Sequence, residues 1–214
     1  MKILNLTILL IIYTNLIFAQ TEPKPLSFEE KIKLEINDAS SQYYYPNLLN
    51  KINSEPEKIS KEDIRHLYYG QIYQKGTGLS FIDHPDIENF RKAVAKSNCK
   101  SILKLGQIIL HDRPVELTTL VPTSSCQTEE KTENKYLNTR LKKLLDVTFE
   151  TGDGKSRETA IKISNIEDDF ILKEILGFKG GRETHETIGG KVYSVWINKK
   201  QKIYFEDCWS YKYQ

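Results

Sequence analysis

The chain has 214 residues, of which 31 are lysine or arginine and 29 are aspartate or glutamate, so its formal net charge is +2 at pH 7. A chain this close to neutral lacks the excess of basic side chains that nucleic-acid binding requires, and we expect no nucleic acid among its partners. The length is enough for one compact domain or for two small ones.

Residues 1–19 predict a secretory signal peptide. Lys2 precedes an apolar run from Ile3 to Phe18, and the small residue Ala19 is followed by the polar sequence QTEPKP. This order is typical of a cleaved leader, and the run is shorter than the roughly 20 mainly apolar residues of a membrane helix. An uncleaved anchor is the alternative. We expect cleavage near Ala19, no membrane span after removal of the leader, and an exported, periplasmic or extracellular protein.

Residues 20–150 predict a series of helices. Ser27 and Glu30 have the spacing of a capping box at the start of the first helix. Ser60, with an acidic residue three positions later, has the same pattern at the start of another helix. Pro46 suits the first turn of a helix between them.

Three further helices are expected over residues 84–98, 99–112 and 135–149, where apolar side chains recur at intervals of three and four. In the first of these helices we expect Val94 to face inward. The polar sequence PTSSCQTEEKTEN, residues 122–134, is expected to form a loop. Short helices joined by short turns are typical of stacked helical hairpins, loosely like tetratricopeptide units, although no repeat in register is visible.

Residues 151–214 predict a small unit of antiparallel strands with one helix, packed against the helical region. ETAIKI is expected to be a strand, and NIEDDFILKEILGF a helix that ends at Gly177. KGGRETHETIGGK predicts a loop with a short strand. VYSVWI and KIYFEDCW, joined by NKKQ, predict an antiparallel hairpin. The expected fold class is therefore α+β.

The sequence TGDGKSRETAIKI, residues 151–163, contains the Gly-Lys-Ser triplet of a phosphate-binding loop. Such a loop also needs a glycine separated from the triplet by four residues, and that position is Phe149. A phosphate site is therefore not expected. Gly152-Asp153-Gly154 is better interpreted as a tight turn, because glycine tolerates positive φ and aspartate accepts hydrogen bonds from the amides that follow it.

Cys99, Cys126 and Cys208 remain after the leader. An exported chain can form disulfides, but an odd number of cysteines leaves at least one thiol outside an intramolecular pair. Cys99 with Cys126 is the preferred bridge, and three buried thiols are the alternative. The spacing matches no zinc motif.

Four segments, YYYPNLL, DIRHLYYGQIYQ, TGDGKSRETAIKI and KIYFE, follow one another in the order of a known family. They resemble the landmarks of a family of exported Gram-negative bacterial proteins that is catalogued as a domain of unknown function. The LYYG motif at 67–70 and the GDGxS motif at 152–156 carry the resemblance over nearly all of the mature chain. The resemblance implies export and a helical region followed by a small α+β unit. The chain departs from the family pattern at TSSCQTEEKTEN. The resemblance implies no activity.

The sequence has no motif of nucleophilic catalysis and no pair of histidines at the spacing of a helical metal site. No metal and no cofactor are therefore expected. Glu167-Asp168-Asp169 is interpreted as the acidic first turn of a helix. The alternative function is a secreted hydrolase with a site at the junction of the two regions. It would use His66 or His185 with a nearby acid such as Glu186.

Tyrosines 43–45, 68, 69 and 73 cluster in two consecutive predicted helices. They can fill the core between hairpins, or they can line a binding groove, where tyrosine combines contact area with a polar tip. Our working hypothesis is a non-catalytic, exported binding or envelope-associated protein. It contacts a protein or peptide of the cell envelope through a concave helical face near Tyr44, Tyr68, Tyr69 and Tyr73. A purely structural role in an envelope assembly is a third possibility.

Overall fold

The computed structural model describes residues 25–74, 84–126 and 131–208, with side chains from residue 135 onward in the last range. The predicted leader at 1–19 lies outside the described residues, as does Gly76, which the sequence predicts to end the helix that begins after Ser60. The chain divides into two compact units, Met1–Lys31 and Ile32–Gln214.

Helices dominate the first two-thirds of the described chain, as the sequence predicts. They are α1 Phe28–Asn37, α2 Tyr45–Ser54, α3 Lys61–Gly70, α4 Ile87–Ala95, α5 Cys99–Asp112, α6 Leu117–Ser125, α7 Lys131–Phe149 and, later in the chain, α8 Asp168–Ile175. Short 3-10 turns follow α2 at Pro56–Lys58 and α3 at Gln71–Tyr73. None of the helices in these described ranges combines the length and the hydrophobicity that a membrane span requires.

The predicted helix starts are confirmed by their caps. Glu30 N–H donates to Ser27 Oγ at 3.2 Å, while Ser27 N–H donates to a Glu30 carboxylate oxygen at 2.7 Å. Ser60 and Asp63 make the same reciprocal pair at α3, with distances of 3.0 and 2.7 Å. Pro46 lies in the first turn of α2. Each cap satisfies amides that the helix itself leaves without an acceptor, which is why the sequence signal is reliable.

Helix α3 packs against α2 and α7, and α5 packs against both α4 and α6. The glycine of the LYYG motif permits a close approach to α1. A Cβ placed on Gly70 would lie 2.9 Å from Ile36 Cγ2. Gly106 has the same role between α5 and α6, because a Cβ placed on it would overlap the side chain of Thr123 and lie 3.0 Å from Thr123 Cγ2.

The prediction of a loop from Pro122 onward is wrong in its first part, because Leu117–Ser125 forms a helix. Pro122 removes one backbone donor in that helix. Leu117, Leu120 and Thr123 are all fully buried there, and their packing outweighs the lost hydrogen bond. The later part of the predicted loop is also helical, since α7 begins at Lys131.

The last third of the chain forms a four-stranded sheet with the strand order β1-β4-β3-β2. The strands are β1 Ile161–Ile163, β2 Arg182–Ile188, β3 Lys191–Ile197 and β4 Lys202–Asp207. Strands β2, β3 and β4 are antiparallel neighbours, whereas β1 pairs with β4 in parallel. The α+β fold class is confirmed, with a mixed sheet. Helix α7 packs against β1, and α6 packs against α8.

The residues of each turn account for both hairpins. Gly189 and Gly190 have φ of 59° and 80° and form the two-residue turn between β2 and β3. The NKKQ segment is the predicted loop, since Ile197 pairs with Lys202 across it. The glycine-rich segment contains more strand than the sequence predicts, because β2 has seven residues.

The GDGxS segment is a closed turn. Gly154 has φ of 70°, its N–H donates to Thr159 O at 2.7 Å, and its carbonyl accepts from Tyr204 N–H at 2.9 Å. Lys155, which would contact phosphate in a nucleotide site, forms an ion pair with Asp153 at 2.9 Å. The strand β1 follows, so the turn leads into no helix N-terminus that could hold a phosphate.

Cys99 and Cys126 form a disulfide with a Cα–Cα distance of 5.3 Å. It joins the start of α5 to the residue after α6, beside a core cluster that contains Ile87, Phe90 and Ile109. Cys208 is a buried thiol.

We predict that the double variant Cys99→Ala/Cys126→Ala unfolds at lower denaturant concentration, with a loss of about 3 kcal/mol, because the bridge closes a loop of intermediate length. Urea unfolding followed by far-UV circular dichroism measures the change. Reductant should lower the stability of the wild type to that of the variant and leave the variant unaffected. Equal stability of oxidised wild type and variant would contradict this prediction.

Candidate functional site

The tyrosines singled out from sequence occupy two environments. Tyr68 is 0% exposed and Tyr69 is 2% exposed, and their rings meet edge to face with centroids 4.8 Å apart. Tyr44 and Tyr73 are half-buried. Tyr68 and Tyr69 therefore fill the core, the first of the two interpretations that the sequence left open, and neither ring presents a surface to a partner in this structure.

The hydroxyls of the two buried tyrosines connect α3 to β1, to the residue that follows β1 and to the start of α8. Tyr68 OH donates to Asp168 Oδ2 at 2.6 Å and accepts from Ser164 N–H at 3.3 Å. Tyr69 OH donates to Lys162 O at 3.1 Å. We call Tyr68, Tyr69, Ser164 and Asp168 the tyrosine seam. Burial raises the pKa of both tyrosines well above its usual range, so both hydroxyls remain donors.

His66 is held in a closed arrangement. Its Nε2 lies 2.7 Å from Glu35 Oε2 and its Nδ1 lies 2.8 Å from Glu62 O. The ring stacks on Tyr43 with centroids 3.7 Å apart. A backbone carbonyl and a carboxylate therefore contact the two ring nitrogens, and neither nitrogen faces a substrate. Its side chain is 5% exposed, which supports a structural role.

His185 and Glu186 do not form a pair. As neighbours on β2 they point to opposite faces of the sheet. Glu186 accepts from Arg157 Nε at 2.8 Å, whereas His185 Nε2 lies 3.3 Å from Glu183 Oε1. The structure therefore brings His185 to a different acid from the one that the sequence analysis named.

A chain of hydrogen bonds connects this exposed histidine region to a buried acid. Ser194 Oγ lies 2.6 Å from Glu183 Oε1 and 2.7 Å from Asp169 Oδ2. A hydroxyl has one proton to donate, so one of these two carboxyls must itself be protonated for both contacts to be hydrogen bonds. Trp196 Nε1 also donates to Asp169, at 2.9 Å. Burial, together with the Glu183 charge, raises the pKa of Asp169 to about 6.

Two more buried acids lie at this end of the fold. Glu116, 4% exposed, accepts from Asn165 Nδ2 at 2.5 Å, and burial raises its pKa to about 7. Burial and the Glu116 charge raise the pKa of Asp168 well above the usual range. One carboxylate oxygen each of Asp168 and Asp169 has no hydrogen-bond partner among the described residues. Among the described residues, no three acid, histidine or cysteine side chains gather as metal ligands.

Sequence reasoning missed this acidic cluster of Glu116, Asp168 and Asp169. It interpreted Glu167-Asp168-Asp169 as the acidic first turn of a helix, and Asp168 and Asp169 do lie in the first turn of α8, but the sequence alone offers no reason to expect their burial. Their burial depends on α3 and on the sheet, which contact α8 from distant parts of the chain. No local signal in the sequence reports such contacts.

An open cleft of about 420 Å³ lies on the outer side of the same helix, between α4 and α8. Its lining is mainly apolar and consists of Phe90, Arg91, Val94, Ala95, Thr118, Glu167, Phe170 and Ile171. Phe170 is 48% exposed and Val94 is 36% exposed, so the prediction that Val94 faces inward is wrong. A volume in the range of roughly 300–1,000 Å³ suits an organic ligand or a few peptide side chains.

Polar and aromatic contacts fix the two walls of the cleft. Arg91 Nη2 donates to both carboxylate oxygens of Glu167 at 3.0 Å, which joins α4 to the start of α8. Phe170 meets Trp196 edge to face with centroids 4.8 Å apart. The ring of Trp196, which its hydrogen bond to Asp169 orients, therefore packs against the exposed Phe170.

We predict that Tyr68→Phe lowers the free energy of unfolding by about 2 kcal/mol, because it removes the donor to Asp168 inside the core. Urea denaturation provides the measurement. Tyr204→Phe is the matched control, since the Tyr204 ring lies at the half-buried surface near Arg157. Equal effects of the two substitutions would contradict the assigned role of the seam.

We predict that stability falls as the pH rises from about 4.5 towards 7. The pKa of Glu116 is raised from 4.5 to about 7, so in this window the folded state binds more protons than the unfolded state. The stabilisation is fully present below the lower value and is lost as the pH passes the upper one. Glu116→Gln should flatten the pH dependence of the free energy of unfolding across this window.

The control for Glu116→Gln is Glu57→Gln, which changes an exposed glutamate. Urea unfolding at a series of pH values compares both variants with the wild type. An unchanged slope in Glu116→Gln would show that Glu116 does not titrate in this window.

Comparison with known proteins gives a family and no individual relative. No curated protein and no solved structure matches the chain. A family model described as a domain of unknown function, DUF4919, matches residues 30–206. This range includes α3 with its LYYG motif, the GDGxS turn, α8 and nearly all of the sheet. The chain therefore belongs to the DUF4919 family.

Proposed function

We propose that this protein is an exported, non-catalytic binding protein of the cell envelope that holds an apolar segment of a protein or peptide in the cleft between α4 and α8. The observation that carries the proposal is the exposure of Phe170 and Val94 on facing walls of that cleft. The predicted leader at 1–19 supports export. The disulfide supports it too, because such bridges persist in oxidising compartments.

The exposed apolar surface of the cleft extends to the start of α8. Ile166 is 41% exposed and lies immediately before Glu167 and the helix, while Phe170 lies one turn later. Burial of each such side chain against a partner would stabilise the complex by about 25 cal/mol per Å² of apolar area removed from water. Exposed apolar side chains grouped in this way mark interaction sites more often than isolated ones do.

The charged pair at the cleft favours a peptide over a fully apolar ligand. The side chains of Arg91 and Glu167 are 45% and 30% exposed, so both can also bond to main-chain groups of a bound segment. An apolar centre with a polar edge is the usual composition of a protein interface. A segment with one large apolar side chain against Phe170, and polar residues beside it, fits this pattern.

The hydrolase alternative has one favourable observation, the cluster of acids with raised pKa values, since such groups are frequent in active sites. Glu116, Asp168 and Asp169 are 4%, 1% and 0% exposed, and Ser194 is 2% exposed. A catalytic group has to reach its substrate. The burial of these groups therefore supports binding as the function and a structural role for the acids.

We predict that peptides selected from a random library on the mature protein bind through the cleft. Phe170→Ala should weaken the binding of a selected peptide by at least about 10-fold, because it removes the largest exposed apolar side chain of the site. Fluorescence anisotropy of a labelled peptide measures the affinity.

Ile188→Ala is the matched control, because Ile188 is 49% exposed and lies on β2, away from the residues that line the cleft. It should leave the affinity unchanged. Circular dichroism confirms that each variant is folded. Binding that is insensitive to Phe170→Ala, or equally sensitive to Ile188→Ala, would refute the assignment of the cleft.

A further inference from the structure

A second cleft, of about 220 Å³, lies where α2, α5 and α7 meet, and its wall contains Arg140. The two terminal nitrogens of Arg140 donate to Pro114 O at 3.5 Å and to Ile52 O at 3.4 Å, both at the long limit of a hydrogen bond. Its Nε is buried with no hydrogen-bond partner among the described residues. Among the described residues, the guanidinium therefore makes fewer hydrogen bonds than its N–H groups could make.

No carboxylate of the described residues lies in ion-pair contact with Arg140, in contrast to Arg65 and Arg91. Arg65 contacts Glu150 at 2.8 Å, and Arg91 contacts Glu167 at 3.0 Å. Taking a guanidinium out of water is costly unless an opposite charge compensates for it. Within the part of the chain that the structure describes, Arg140 has two long contacts with neutral carbonyls, and no carboxylate there balances its positive charge.

The rest of the cleft combines apolar walls with a few polar groups. Ile52, Leu110 and Leu137 supply the apolar surface. Tyr136 lies four residues before Arg140 on α7, and residues at this spacing share one face of a helix. The cleft is therefore a small apolar space with a cation and a phenol on one wall.

We propose that this cleft binds a carboxylate carried by a small apolar group, with Arg140 as its counter-charge. A carboxylate matches the parallel N–H groups of a guanidinium and can accept two of them. The apolar walls would surround a branched aliphatic group of the size of a leucine side chain. Such a carboxylate can be a free short-chain acid or the C-terminus of a peptide.

The electrostatics of Arg140 agree with this geometry. Burial lowers the pKa of Arg140 to about 10, and among the described residues no neighbouring acid offsets the effect. A bound carboxylate would reverse this shift, because an opposite charge favours the protonated guanidinium. This site is separate from the cleft between α4 and α8, so either proposal can be refuted without affecting the other.

The competing role for Arg140 is purely structural, as a tie between the end of α2 and the turn before α6. If Arg140 only connects these two elements, a charged ligand and its uncharged analogue should bind with the same affinity. If the cleft is a carboxylate site, the charged ligand should bind more tightly. The comparison between an acid and its uncharged amide separates the two roles.

The experiment uses the full mature chain and two pairs of probes. One pair is 3-methylbutanoate and 3-methylbutanamide, and the other is acetyl-alanyl-leucine and its C-terminal amide. The arginine Nε–H resonances in a proton–nitrogen NMR spectrum report binding at Arg140 directly. We expect the acids to shift the Arg140 resonance with dissociation constants on the order of 1 mM, and the amides to bind at least about 10-fold more weakly.

Variants test the assignment to Arg140. Arg140→Gln should abolish the stabilisation by acid that thermal unfolding detects in the wild type. The exposed Arg182→Gln is the matched control and should retain it. Binding of the dipeptide alone identifies a peptide terminus, whereas equal binding of both acids identifies a free carboxylate, and either result supports the proposal.

Three results would overturn it. They are equal binding of acid and amide, equal binding of inorganic phosphate, and retention of acid binding in Arg140→Gln. If Arg140→Gln does not fold, the comparison of acid with amide on the wild type decides the question by itself.

Discussion

The hydrogen bond from Tyr68 to Asp168 is the contact on which the arrangement of the fold depends. It lies entirely within the core and connects residues 100 positions apart. The same hydroxyl accepts from Ser164, so one phenol fixes both the end of β1 and the start of α8 on the surface of α3. Burial raises the pKa of Asp168 well above its usual range, which favours the neutral carboxyl, and the Tyr68 hydroxyl donates to it.

The two faces of α8 follow from this constraint. Once Asp168 and Asp169 point inward, the helical period directs Glu167, Phe170 and Ile171 toward α4 and solvent. Trp196 connects the two sides, because its indole N–H donates to Asp169 while its ring supports Phe170. The buried acids therefore orient the binding cleft even though they do not line it.

Much of the fold follows from local sequence signals. The capping boxes at Ser27 and Ser60 and the NKKQ hairpin loop are determined by residues a few positions apart, and they are present as predicted. The parallel pairing of β1 with β4 joins residues more than forty positions apart, and no local pattern encodes it. Helix α6 was missed because Pro122 and its threonines are poor helix formers in isolation. The acidic cluster and both clefts exist only after distant elements pack together.

A carbon-13 NMR titration of the Asp168 side-chain carboxyl in the folded protein tests the role of the contact between Tyr68 and Asp168 most directly. We expect this carboxyl to remain protonated well above the ordinary aspartate range, because burial next to Tyr68 and near Glu116 opposes its ionisation. Titration close to the ordinary value of about 3.9 would contradict it, because the carboxyl would then be solvated or paired with a cation. The tyrosine seam would then not be the neutral, buried contact that positions α8.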